Sequence, residues 1–470
     1  MLEDDHATTH TTIEDALSHR SGLPRHDPVW GLPGETASSV VKKLRYLPMT
    51  AEPRTTFQYC NLMYGVVTDL LETLTGLKLE TILREKFWDP LGMASTSFGG
   101  FDAQSNLARG YYWNPDKNGA SAREGFSTPE NEYVPEHYLN ISGISGAGAT
   151  TSSVNDYALW MKAFLDTANT AKPRNTSSPI NYALYRDVLT PRTIVLPPFM
   201  DSSPGFITPQ LYALGWTSTS VMGHTIVGHG GGLPGFGTTV IFLPDDGYGV
   251  VVMGNTADTS NIVGSLIAAV LLKQKLGLNI EESASAKATL LATFSNPDVR
   301  QDVHPISNED VIHEPHVQHP SAPQSKSPPA EMAKLPLPGD IGDYAGLYTH
   351  PAYGMINFTV STSDAIDAKS ASSAFSYLYG LPTPMRAWRY ALELHHVTDT
   401  LFMCKLMTQH GMGSEVIWSQ VGSSRAVFKF GLTGDEVETL GIELNWEMVE
   451  AAKRKGGKYW KEGMIWFDKV

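Results

Sequence analysis

Apolar positions recur at helical spacing in several stretches of the first half of the chain. In TIEDALSHRSGLP, Thr12 stands three residues before Asp15, the spacing of a capping box, and Gly22 followed by Pro24 marks the end of that helix. Beyond Asn61, a stripe of Leu62, Val66, Leu70 and Leu74 runs to Gly76, the residue type that ends helices. The stretch ETILREKFWDPLGM predicts a third helix that stops at Pro90. ISGISGAGATTSS then reads as a small-residue loop entering the helix VNDYALWMKAFL, with Ser153 and Asp156 at capping-box spacing.

From residue 224 the period changes. HTIVGHGGGLPGFGTTVIFLPDDGYGVVVMGN holds three strand-like runs parted by a Gly/Pro turn and by PDDG, where Asp246-Gly247 is a hairpin signal. This predicts an antiparallel meander, closed by an apolar helix over Asn261–Leu276. Residues 279–338 are rich in Pro, Ser and Ala and lack periodic apolar residues, so they read as a linker between a first domain (1–278) and a second (339–470). In the second, MINFTV, YALELHHV, TLFMCKL, EVIWSQV, AVFKFGL, GIELNW and MIWFDKV are short alternating runs that suggest a small antiparallel barrel or sandwich.

Composition narrows the function classes. A net charge of -14 over 470 residues argues against a nucleic-acid surface, which needs clustered Lys and Arg. Two cysteines, Cys60 and Cys404, make neither a disulfide framework nor a thiolate zinc site. His304, His313, His316 and His319 lie among prolines of the linker, where nothing fixes ligand geometry, so no metal is expected. No apolar run reaches the ~20 residues of a transmembrane helix, and the acidic start MLEDD has no signal-peptide pattern, which leaves a cytoplasmic location by default.

The candidate chemistry sits in four stretches in order: TIEDALSHRSGLP, Tyr59-Cys60-Asn61, YALGW at 212–216, and GHGGGLPGF at 228–236. In that order they resemble the serine β-lactamase and penicillin-binding-protein-like family, in its class C, esterase and D-aminopeptidase branch. The resemblance covers roughly residues 8–276, and the C-terminal region resembles the lipocalin-like barrel that some members append. It implies an α/β (α+β) fold, an antiparallel β-lactamase/transpeptidase-like sheet flanked by helices, followed by an all-β domain. It further implies acyl transfer from a small-molecule or peptide ester or amide through a serine, without any cofactor. In the family's pattern Tyr59 is the proton shuttle, Asn61 the substrate-orienting amide, and His229 with Gly230 and Gly231 the opposite wall, on an outer strand of the meander. A tyrosine titrating ordinarily near 10 serves as a base only beside positive charge.

The family's nucleophile lies in an SxxK motif tens of residues ahead of the first of these stretches, and the sequence offers no room for it there. One SxxK string occurs elsewhere, Ser39 to Lys42, but charged residues and Pro48 follow it instead of an apolar helix. A nucleophile elbow is approached only by Gly143-Ile144-Ser145-Gly146-Ala147, which lacks its last glycine. The expectation is therefore an N-terminally truncated hydrolase or acyltransferase, inactive as written because losing the nucleophile costs on the order of 10⁶ in turnover. The alternative is a pseudoenzyme that uses the same cleft to bind a ligand or partner.

Overall fold

The computed structural model describes residues 1–99, 106–114, 133–169, 178–196, 209–257, 259–277, 335–363, 375–412, 415–432, 434, 436–454 and 463–470. The chain forms two compact units, one built on an open sheet and one on a closed barrel. The predicted linker residues 279–334, with the four histidines they contain, lie outside the described residues.

The first unit opens with helices α1 (Asp5–His10), α2 (Ile13–Leu17), α3 (Ala37–Val41) and α4 (Asn61–Thr75). Thr12 caps α2 as its sequence predicts, with Thr12 and Asp15 exchanging side-chain and backbone hydrogen bonds. The helix ends earlier than Gly22, because His19 takes a left-handed conformation (φ 54°) and turns the chain. Helix α4 ends at Gly76 (φ 71°) as expected, but its buried face is not the predicted stripe. Leu62, Met63, Gly65 and Thr68 are buried while Leu74 is exposed. Small side chains on that face admit neighbours closely: a Cβ on Gly65 would lie 3.4 Å from the Gly143 carbonyl oxygen.

Next come α5 (Leu79–Leu83), a π-helical turn (Arg84–Trp88) and α6 (Asp89–Leu91). Pro90 does not stop this helix. The wide turn, in which the Asp89 N–H donates to the Arg84 carbonyl, lets the proline sit at the start of a new turn that Gly92 ends. Two small ladders follow, β1 (Ser97–Phe98) with β4 (Thr150–Thr151) and β2 (Tyr111–Trp113) with β3 (Tyr133–Pro135), with α7 (Ser145–Gly148) lying between β3 and β4 in the chain. Helices α8 (Val154–Ala168) and α9 (Tyr182–Leu189) precede the sheet.

That sheet contains β5 (Thr193–Leu196), β6 (Gln210–Tyr212), β7 (Thr217–Val221), β8 (His224–Leu233), β9 (Phe236–Leu243) and β10 (Tyr248–Gly254), each paired antiparallel with the next. Alternation along the strands supplies two cores. Ile226, Ile241 and Val250 pack with Ala268 and Leu272 of α10 (Thr259–Leu276), while Val227 and Phe242 pack with Ala163 and Phe164 of α8. Helices thus cover both faces. Strand β8 is not the outer strand expected from the meander alone, since β7 pairs with it. The pairing stops at Thr217 opposite Gly228, whereas β9 pairs with β8 to Leu233. From His229 onward β8 therefore has no strand neighbour on its β7 side among the described residues.

The second unit is a closed antiparallel barrel of β11 (Gly346–His350), β12 (Gly354–Ser363), β13 (Phe375–Thr383), β14 (Tyr390–Thr398), β15 (Leu401–Met412), β16 (Glu415–Phe430), β17 (Val437–Ile442) and β18 (Ile465–Lys469). EVIWSQV and AVFKFGL, read as two strands, form the single strand β16. Tyr348, Phe358, Phe402, Phe428 and Phe467 are all fully buried. The first four make one edge-on chain of rings, Phe358 to Tyr348 to Phe428 to Phe402.

At one end of this unit the His350 ring accepts two backbone bonds, from the N–H groups of Ala352 and Tyr353, both at 3.1 Å to Nδ1. Burial pushes its pKa down to about 4, against a smaller upward pull from Asp468. An unfolded histidine takes its proton near 6.5, so stability present above that pH is lost as pH falls toward 4. The loss expected is about 1–2 kcal/mol after solvent screening. Thermal melts at pH 7.5 and 4.5 check it. His350→Asn, whose Oδ1 can accept the same bonds, should lose less stability between the two pH values than the parent does.

Candidate active site

Residues 57–60 enter α4 in an extended conformation, with Cys60 at φ −144° and ψ 104°. His19 stitches this segment from one side. Its carbonyl accepts the Gln58 N–H at 2.8 Å, and its Nδ1 accepts the Cys60 N–H at 3.1 Å. Tyr59, between those two bonds, is held with its ring centroid 4.2 Å from that of His19. Because Nδ1 accepts, the ring proton of His19 sits on Nε2, which is buried with no hydrogen-bond partner among the described residues. Burial, then the nearby His229 and Arg25, holds the His19 pKa well below the ordinary value, so the ring is neutral.

Asn61 and Tyr59 share a second support. The Asn61 amide donates to Asp27 Oδ1 at 3.1 Å, and the same oxygen accepts the Trp30 indole N–H at 3.0 Å. The other oxygen of Asp27 pairs with Arg25 Nε at 3.2 Å. The Arg25 guanidinium lies 5.0 Å from the Tyr59 ring centroid, a cation on the face of the phenol.

The glycine-rich strand meets this cluster. The His229 ring centroid lies 6.3 Å from that of Tyr59, although the residues stand 170 positions apart. His229 Nδ1 faces the Gly230 carbonyl at 2.5 Å and so carries the hydrogen, which leaves Nε2 to accept the Tyr212 hydroxyl at 3.1 Å. The tautomer is thereby fixed. At Gly231 the close approach is within the sheet: a Cβ would fall 2.6 Å from Thr238 Oγ1, and the Gly231 carbonyl accepts the Asn261 amide.

The two serines singled out in the sequence stand in other roles. Ser39 is the third residue of α3, where its hydroxyl accepts the Thr36 N–H and donates to the Thr36 carbonyl, and Lys42 is exposed. Ser145 follows a 3₁₀ turn (Ser142–Ile144), not the strand that a nucleophile elbow requires. Reading the sequence alone assigned no role to His19, Arg25, Asp27 or Tyr212. The available signal was their position inside or just beyond the quoted motifs, in SHRSGLPRHD and YALGW.

A helix-flanked antiparallel sheet with a tyrosine–asparagine helix start facing a glycine-rich strand defines a β-lactamase/transpeptidase-like protein. A family model described as Beta-lactamase matches residues 2–274, more than half of the chain, and the protein belongs to that family. It is 34% identical over 435 residues to the Unguisins hydrolase ungD of Aspergillus violaceofuscus, covering 89% of this chain and 70% of that one. It is 26% identical over 271 residues to a D-aminopeptidase of Cereibacter sphaeroides, covering 55% of this chain and 45% of the relative, less than half of its length. The crystal structure of a D-amino acid amidase from Ochrobactrum anthropi superposes with a TM-score of 0.44 at 21% identity, covering 57% of this chain and 73% of that one.

Proposed function

We propose that the cluster of Tyr59, Asn61 and His229 bounds an acyl-transfer site of the serine-hydrolase type, acting on an ester or on an amide such as a peptide with a D-residue. The observation that carries this reading is the meeting of Tyr59 and His229 across 170 residues of sequence, with the backbone on either side of Tyr59 and the ring of His229 held by separate hydrogen bonds. Tyr59 would pass the proton between nucleophile and leaving group, with Arg25 supplying the positive charge that a phenolate needs. The open side of β8 beyond Gly228 would offer backbone N–H donors to the oxyanion. Gly230 and Gly231 would leave the substrate room along that wall. The substrate class follows the names of the relatives, an unguisins hydrolase and a D-aminopeptidase.

A second reading has its own observation. Ser39, the serine of the SxxK string, is engaged in a helix cap beside an exposed Lys42, so a site lacking a nucleophile would act as a binding cleft. A fluorophosphonate probe separates the two. Labelling of one serine, located by peptide mass spectrometry and slowed about 10²–10⁴-fold in Tyr59→Phe, supports the hydrolase. A folded chain that takes no label yet binds a D-amino-acid amide supports the cleft. Labelling that is equal in Tyr59→Phe and the parent sinks the role given to Tyr59.

A further inference from the structure

We infer that Asp27 is a positioning residue that fixes which way the Asn61 amide faces, so that the site offers an acceptor oxygen and selects substrates with an N–H donor, an ammonium or amide nitrogen, beside the scissile acyl carbon. The inference rests on the reading that Asn61 lines a substrate site, and it adds the substrate chemistry and the residue that sets it.

An asparagine side chain has two ends of equal size and opposite hydrogen-bonding sense, so something must decide between them. Here Asp27 decides. Its carboxylate is buried and paired with Arg25, and as an ionised group it can only accept. Oδ1 already receives the Trp30 indole N–H at 3.0 Å and takes the Asn61 NH₂ group at 3.1 Å. Turning the Asn61 amide over would set its carbonyl oxygen against that same oxygen, acceptor to acceptor. It would also forfeit a hydrogen bond to a charged group, which disfavours the turned state by roughly tenfold to a hundredfold. With its NH₂ group committed, Asn61 keeps Oδ1, which has no hydrogen-bond partner among the described residues, on a half-buried side chain.

That oxygen sits at the first residue of α4, two positions from Tyr59. A substrate whose acyl carbon is presented to Tyr59 and β8 would bring its α-substituent to it. An ammonium or amide N–H there gains a hydrogen bond, whereas a carbonyl there meets a like lone pair. Asp27→Asn is the informative variant because it preserves shape, and its oxygen is drawn to the Arg25 cation, where Oδ2 stood, at the loss of the Trp30 bond. Its own NH₂ group would then face Asn61, whose carbonyl would swing toward position 27 and whose NH₂ group would face the site.

The test compares three ligands of one skeleton by calorimetry on the full chain: D-phenylalaninamide, 3-phenylpropanamide and 2-oxo-3-phenylpropanamide. The parent should bind the first about tenfold or more tighter than the second, and the third more weakly than the first. Asp27→Asn should reverse the order of the first and third. In chain labelled with ¹⁵N-asparagine, the side-chain amide resonance of Asn61, assigned by its loss in Asn61→Ala, should move in Asp27→Asn. An unmoved resonance, or a preserved order of ligands, overturns the positioning role. Absence of binding by the parent to all three, with a resonance that still moves, overturns the substrate-site reading instead.

Discussion

Gly22→Ala is expected to cost about 3–5 kcal/mol and to lower the melting temperature of the first unit by roughly 10 °C. Two penalties add at this position. Gly22 has φ 82°, a left-handed conformation that costs other residues about 1–2 kcal/mol. A Cβ there would also lie 2.1 Å from the Ala51 carbonyl oxygen and 2.9 Å from its carbon. The obstacle is backbone, and it is anchored: the N–H groups of Thr50 and Ala51 both donate to the Gly22 carbonyl. The loop must move, and the same loop leads within a few residues to Tyr59. Gly76→Ala is the comparison, because φ is 71° there but nothing lies within 4 Å of the added carbon. It should cost only about 1–2 kcal/mol. Equal losses in the two variants, read from thermal melts, would show that the close approach at Gly22 is not what holds the loop.

Local signals carried most of what could be read from the chain. The Thr12–Asp15 capping box, the Gly76 helix stop and the antiparallel β8–β10 meander depend on residues a few positions apart, and the structure shows each. The features that were not legible depend on distant partners. Strand β8 became internal because of β7, TSTSV, a short polar run without an apolar period of its own. The buried face of α4 is set by what packs on it, so Gly65 and Thr68 are buried while Leu74 is exposed. The chain passes Pro90 in helical form because a π turn ahead of it relieves the clash that a regular helix would impose. At the site, Tyr59, Asn61 and His229 could be picked out through the family resemblance of their motifs, and the structure brings Tyr59 and His229 together. Their supports could not. Nothing in the sequence gives Arg25 and Asp27 a role, and only their place beside Asn61 and Tyr59 in the fold gives them a use. Among the described residues, no helix is long and apolar enough to cross a membrane.

His19 is where stability and the site depend on one side chain, and its replacement should show both. His19→Ala removes a fully buried ring and leaves the Cys60 N–H without its acceptor, which together cost about 2–4 kcal/mol. It also places alanine in a left-handed conformation (φ 54°). His19→Asn should be milder, because asparagine tolerates that conformation and its Oδ1 can stand where Nδ1 stood. The two variants also separate packing from titration. His19 is neutral in the fold because burial, and then His229 and Arg25, hold its pKa well below that of the unfolded chain. The unfolded state therefore binds a proton that the folded state refuses once pH drops below about 6.5. Stability then falls by up to about 1.4 kcal/mol per pH unit for this one group. Above that pH both states are neutral and the group contributes no slope. Chemical denaturation at pH 7.5 and 5.5 should show the parent losing more stability than His19→Asn across that interval. A variant that loses as much as the parent would mean that His19 is protonated in the folded protein, and the Cys60 N–H could then not be bound to Nδ1. Tyr59 would in that case be held by something other than the neutral imidazole tilted against it.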